Sequence, residues 1–129
     1  MHQQQLDKIK FTGTIDAELF SSTAKETAQK IGENKNNKPT QLRRFYDEIV
    51  MWHEKTQQAD VDKFKEYLPF IKMINAKVAY AKGRKHVDDN YMQLINHCLK
   101  QVTDQKTMNI FKTFMEAFMG FYKVYGPKS

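Results

Sequence analysis

What this chain has little of narrows its chemistry before any motif is read. Its 129 residues include one cysteine, three prolines, one tryptophan and five glycines. A lone cysteine excludes an internal disulfide, and such sparing use of thiols reads as cytoplasmic. The glycines are scattered at positions 13, 32, 83, 120 and 126, so no glycine-rich phosphate loop is present. No apolar run approaches the ~20 residues needed to cross a bilayer. The opening "MHQQQLDKIK" lacks the apolar centre of a signal peptide, and no membrane partner is expected. Structural zinc needs four convergent ligands; His97 and Cys98 are adjacent and diverge on a helix, and His53–Glu54 lacks the second histidine of a metallopeptidase motif. Neither a metal nor any cofactor is expected. The carboxylate pairs, Asp47–Glu48 and Asp88–Asp89, are sequence neighbours about 100° apart on a helix, a poor arrangement for an acid/base couple. The chain therefore reads as no enzyme, although a histidine could still meet a carboxylate in the fold.

What is present is helical periodicity. Leu19, Phe20, Ala24, Ala28 and Ile31 repeat at helical spacing over residues 16–31, stopping at Gly32. The loop "GENKNNKPT" follows, and Thr40 is the expected N-cap of a helix over 41–57 that carries Leu42, Phe45, Ile49 and Trp52 on one face. A third helical region runs from Asp60 to Lys82. Pro69 inside it predicts either a kink or a fresh helix with the proline in its first turn, and Gly83 is the expected C-cap. Asp88 or Asp89 caps a fourth helix bearing Tyr91, Leu94, Ile95, Cys98, Leu99 and Val102. In the last helix, which starts near residues 104–106, the aromatic and methionine side chains between Phe111 and Tyr125 fall within an arc of about 160°. So wide a stripe should pack against at least two other helices. The only strand candidate is "KIKFT" at 8–12, which is weak. The expectation is an all-α, single-domain bundle of about five helices spanning 1–129, with flexibility left open for residues 1–14.

The charge is uneven. Of 21 basic and 15 acidic residues, giving +6, residues 60–85 hold seven basic and three acidic. Within 72–85 there are five basic residues and no acid, as expected of a surface facing a polyanion. Cations near a helix C-terminus also complement its dipole, each by roughly 0.3–1 kcal/mol. That accounts for one or two of them, but not for an excess that begins at Lys72. Arg43 and Arg44 add planar forks suited to phosphate oxygens. No recognition helix or aromatic RNA-binding signature points to sequence reading. Tyr80 is expected as a core residue with a polar tip.

Three blocks, "KPTQLRRFYDEI" (38–49), "LPFIKMINAKVAYAKGR" (68–84) and "FMEAFMGFYKVYG" (114–126), resemble in order and spacing the small helical subunit of type III-A CRISPR–Cas (Csm) effector complexes. The resemblance covers roughly 90 residues well and the N-terminal part loosely. It implies a non-catalytic helical bundle used in several copies beside a filament of backbone subunits that carry guide RNA. Basic faces of such subunits line the channel holding the guide–target duplex, while cleavage belongs to neighbouring subunits. The implied partners are guide RNA and target RNA through their backbones, the other effector subunits, and a second copy of the chain, with a homodimer as one form when isolated. By position in the blocks, Arg43, Arg44, Lys77, Arg84 and Lys85 are the expected RNA contacts, with Lys72 and Lys82 as second choices. The alternative is a helical scaffold or dimer that touches only protein. A histidine hydrolase and a helix-turn-helix DNA binder are further rivals.

Overall fold

The aromatic stripe of the last helix organises the molecule. In a computed structural model that describes residues 1–128, that helix (α7, Gln105–Tyr125) packs against α2 (Ala24–Gly32) and α3 (Pro39–Gln57). Phe111, Phe114, Met115, Phe118 and Tyr122 are buried on it. Burying each such side chain is worth about 1.5–3 kcal/mol. The stripe is not wholly covered, however: Met119 and Phe121 are half-buried and Tyr125 is exposed. No strand occurs among the described residues, and the fold is an all-α bundle.

The remaining helices are a short α1 (Gln3–Asp7), α4 (Val61–Lys72), α5 (Ile74–Gly83) and α6 (Asp89–Lys100). The third helical region of the sequence is thus two helices. Pro69 lies in the last turn of α4, where its missing N–H leaves the carbonyl four residues earlier without an intrahelical donor. The helix continues past it and breaks at Met73. The region expected as one helix from residue 16 instead starts with a π-helical turn, Leu19–Thr23, which leaves Phe20 exposed.

Residues 8–12 form no strand, although their burial alternates. Ile9 and Phe11 are buried while Lys8, Lys10 and Thr12 face out. The side chain of Gln101, the C-cap of α6, replaces a partner strand: its Oε1 accepts from the Phe11 N–H at 2.8 Å, and its Nε2 donates to the Ile9 carbonyl at 2.9 Å. The Phe11 ring sits 6.1 Å from Phe111 and 6.0 Å from Phe114. This satisfies backbone groups that burial would otherwise orphan.

Capping follows the sequence at two helices and departs from it at two others. Asp88 accepts from the Tyr91 N–H and caps α6, and Asp104 forms a capping box with Thr107 on α7. At α3, Lys38 rather than Thr40 is the N-cap, because Pro39 takes the first helical position, where its fixed φ fits and its missing N–H does no harm. At α5, Gly83 is the last helical residue and the left-handed position falls on Lys85 (φ 63°). The Lys85 N–H donates to the Lys82 carbonyl and the His86 N–H to the Ala81 carbonyl, both at 2.9 Å. These two bonds are a Schellman motif, with a lysine where glycine is usual.

Beside this turn lies a buried polar knot. Asn37, fully buried, donates from Nδ2 to the Ile31 carbonyl (2.9 Å) and accepts the Asp88 N–H at Oδ1 (2.7 Å). Its own carbonyl accepts from the Tyr122 hydroxyl, and the neighbouring Lys38 N–H donates to the His86 carbonyl.

Candidate nucleic-acid interface

Residues of α3 and of the end of α5 border one cleft, which brings cations together from two distant parts of the chain. Arg44 on α3, Lys77 on α5 and Arg84 just after α5 line one cleft of about 210 Å³. Gln41, Phe45, Tyr80, Ala81 and His86 complete its walls. The seven residues expected from the sequence divide by their surroundings. Arg44, Arg84 and Lys85 are exposed and have no carboxylate within ion-pair distance among the described residues. Arg84 lies over the Tyr80 ring, 5.8 Å from its centroid, which holds the guanidinium in place without neutralising it.

The other four are engaged. Lys77 contacts both Glu48 carboxylate oxygens at 2.9 and 3.0 Å. Lys82 pairs with Asp89 at 3.1 Å, and that hydrogen bond is the main reason the Asp89 carboxyl sits below its ordinary range. Arg43 pairs with Asp47 at 3.1 Å and points away from the cleft, into a groove beside the end of α7. Such exposed pairs are worth only about 0–1 kcal/mol each, so a phosphate can compete for these cations. Lys72 differs in kind: half-buried, it donates to the Leu99 carbonyl at the C-terminal end of α6. Burial lowers its pKa below the usual lysine value. It does not line the cleft, and its position suits a helix C-cap.

Two residues lining the cleft, Tyr80 and His86, and Lys38 bonded to the second of them escaped the sequence reading. Tyr80, expected in the core, is 68% exposed. His86 and Lys38 join the cations through the bond between their backbones. The His86 pKa is lowered first by burial and then by the charges of Lys38, Arg84 and Arg44. The available sequence signal was His86 itself, adjoining the basic run; nothing local announced Lys38, 48 positions away.

Elsewhere the chain holds little reactive chemistry. Cys98 is fully buried, and burial pushes its thiol far above the range in which it would ionise.

The fold is a small all-α bundle in which Arg44, Lys77 and Arg84 line one cleft. The chain belongs to the Csm2 Type III-A family, whose sequence model matches residues 14–128. It is thus a small subunit of type III-A CRISPR effector complexes, as the three sequence blocks implied. No curated protein and no solved structure matches it.

Proposed function

We propose that this subunit is non-catalytic and holds the backbone of guide and target RNA, without reading sequence, through the face formed by Arg44, Arg84, Lys85, Lys38 and Lys77, while other surfaces pack against neighbouring effector subunits and further copies of itself. One observation carries this reading: Arg44 and Arg84, 40 positions apart in the chain, converge on one cleft with their charges unpaired. Two guanidinium forks at fixed positions match phosphate geometry. Lys77 adds a third cation once Glu48 is displaced. Lys72 serves as a structural tie, and Arg43 and Lys82 stand outside the cleft as peripheral contacts.

Such a surface binds weakly in one copy and tightly when several copies lie along one RNA. Filter binding in a salt series tests it. Replacing Arg44, Arg84 and Lys85 with alanine should weaken binding to RNAs of every sequence. Each lost contact should also flatten the log–log salt slope by about 0.7 on a single strand. An unchanged slope and affinity would refute the reading. If the same variant failed instead to join its protein partners while keeping RNA, the subunit would be a protein scaffold.

A further inference from the structure

Beyond the basic cleft, the same face carries flat rings that phosphate binding does not require. Positions 70, 73, 77, 80 and 84 recur at spacings of three and four across the α4–α5 break, so they share one side of the helix pair. Phe70 is 58% exposed, Met73 54% and Tyr80 68%. Soluble proteins rarely align exposed apolar groups in this way without a use for them. Nor are the rings isolated. Phe70 stacks on Trp52 of α3, with planes 17° apart and centroids at 6.2 Å, so Phe70 is the open end of a short aromatic stack. Lys55 lies over Trp52 at 5.3 Å, and Arg84 over Tyr80. The acids nearest the stripe, Glu48 and Glu66, are each held by a lysine, Lys77 and Lys63. The stripe's occupant should therefore be both flat and anionic.

Building on the proposed RNA contact, we infer that Phe70 and Tyr80 are stacking platforms for unpaired nucleobases, so that this face prefers single-stranded to duplex RNA. Every base has a π-face, so aromatic stacking adds affinity without sequence selection. In an A-form duplex the bases are already stacked on one another, and rings reach them only where they are unpaired. Ten residues across the α4–α5 break separate the two platforms, at most about 15 Å at the helical rise, a few nucleotides of strand. The phosphates between them would pass the Lys77 side chain and reach the Arg44–Arg84 cleft.

The test uses the full chain carrying Phe70→Leu and Tyr80→Leu, which keeps apolar bulk and removes the π-faces. Both positions are exposed, so the fold should persist, with only a small fall in melting temperature from the lost Phe70–Trp52 and Tyr80–Arg84 contacts. Three probes are titrated: a single-stranded oligonucleotide, its duplex, and an abasic strand of equal length. Trp52, the sole tryptophan, serves as the fluorescent reporter. In the parent protein the intact strand should quench Trp52 and bind roughly tenfold or more tighter than the abasic strand. The double variant should lose that advantage, and Phe70→Leu alone, which lies outside the Arg44–Arg84 cleft, should lose part of it while keeping the parent's salt slope and duplex affinity. Equal affinity for intact and abasic strands in the parent would overturn the inference. So would a double variant that binds RNA normally but no longer joins its protein partners, which would make the stripe a protein-docking surface. If the Arg44/Arg84/Lys85 variant also binds RNA normally, the fault lies with the proposed function itself.

Discussion

Replacing Lys85 with glycine should stabilise the protein and loosen its grip on RNA. Lys85 holds φ at 63°, in the left-handed region, where a side chain costs about 1–2 kcal/mol. The two hydrogen bonds that close the end of α5 depend on that conformation. Glycine adopts it without a clash, so the bonds survive and the strain is removed. Against this, glycine gives the unfolded chain more freedom, which removes about 0.4–1 kcal/mol of the gain. The net expectation is roughly 0.5–1 kcal/mol of added stability, a rise of about 2–4 °C in the melting temperature for a chain this size. The same change deletes one exposed cation, so the salt slope of RNA binding should flatten by about 0.7. Calorimetry and filter binding on one preparation measure both. Lys85→Asn, which also tolerates the left-handed region, should preserve stability while still losing the RNA contact. A lower melting temperature for the glycine variant would refute the strain argument. A higher one with an unchanged slope would remove Lys85 from the RNA surface.

Two further outcomes follow from groups already placed. Tyr91 is fully buried and its hydroxyl has no hydrogen-bond partner in the structure, so Tyr91→Phe should hold or raise stability, by up to about 1 kcal/mol in urea titration; a loss of that size would mean the hydroxyl is bonded. His86 has a lowered pKa from burial and from Lys38, Arg84 and Arg44, so the folded protein resists protonation there and alone loses stability as pH falls below the ordinary histidine value. A phosphate in the cleft offsets those cations and favours the protonated ring. RNA affinity should therefore strengthen as pH drops from about 7.5 to 5.5, and His86→Gln should abolish that dependence; equal pH profiles for the two proteins would exclude His86 from the site.

The helices were legible because their apolar periods are strong and because Gly32, Asp88 and Asp104 punctuate them with ordinary chemistry. The cation excess at 72–85 was legible as a run in the sequence, but the fold divides it: Lys72 ties to α6, Lys77 and Lys82 pair with acids, and Arg84 and Lys85 stay free of carboxylates among the described residues. What the sequence concealed was long-range. Glu48 reaches Lys77 across 29 positions, and the carbonyl that engages Lys72 belongs to α6, 27 positions away, so no local rule separates these lysines from Arg84. The local rules also misplaced the turn after α5. Glycine's freedom nominated Gly83, but closure required the His86 N–H to reach the Ala81 carbonyl, which put the left-handed residue two positions later. Tyr80 followed the same pattern: its helical phase permits either core or solvent, and only the placement of α3 decided between them.

The knot at Asn37 bears on how quickly and selectively this face can act. One buried residue fastens three segments: its side-chain amide bonds Ile31, before the loop that carries Lys38, and Asp88, after the turn that carries Arg84 and His86, and its backbone carbonyl accepts from Tyr122 of α7. The backbone positions from which those charges project are thereby set during folding, before any ligand arrives. On the proposed RNA contact, a docking strand would have only side-chain freedom to freeze at this point. Each copy along a guide should therefore present its charges from the same fixed backbone positions, like teeth on a comb.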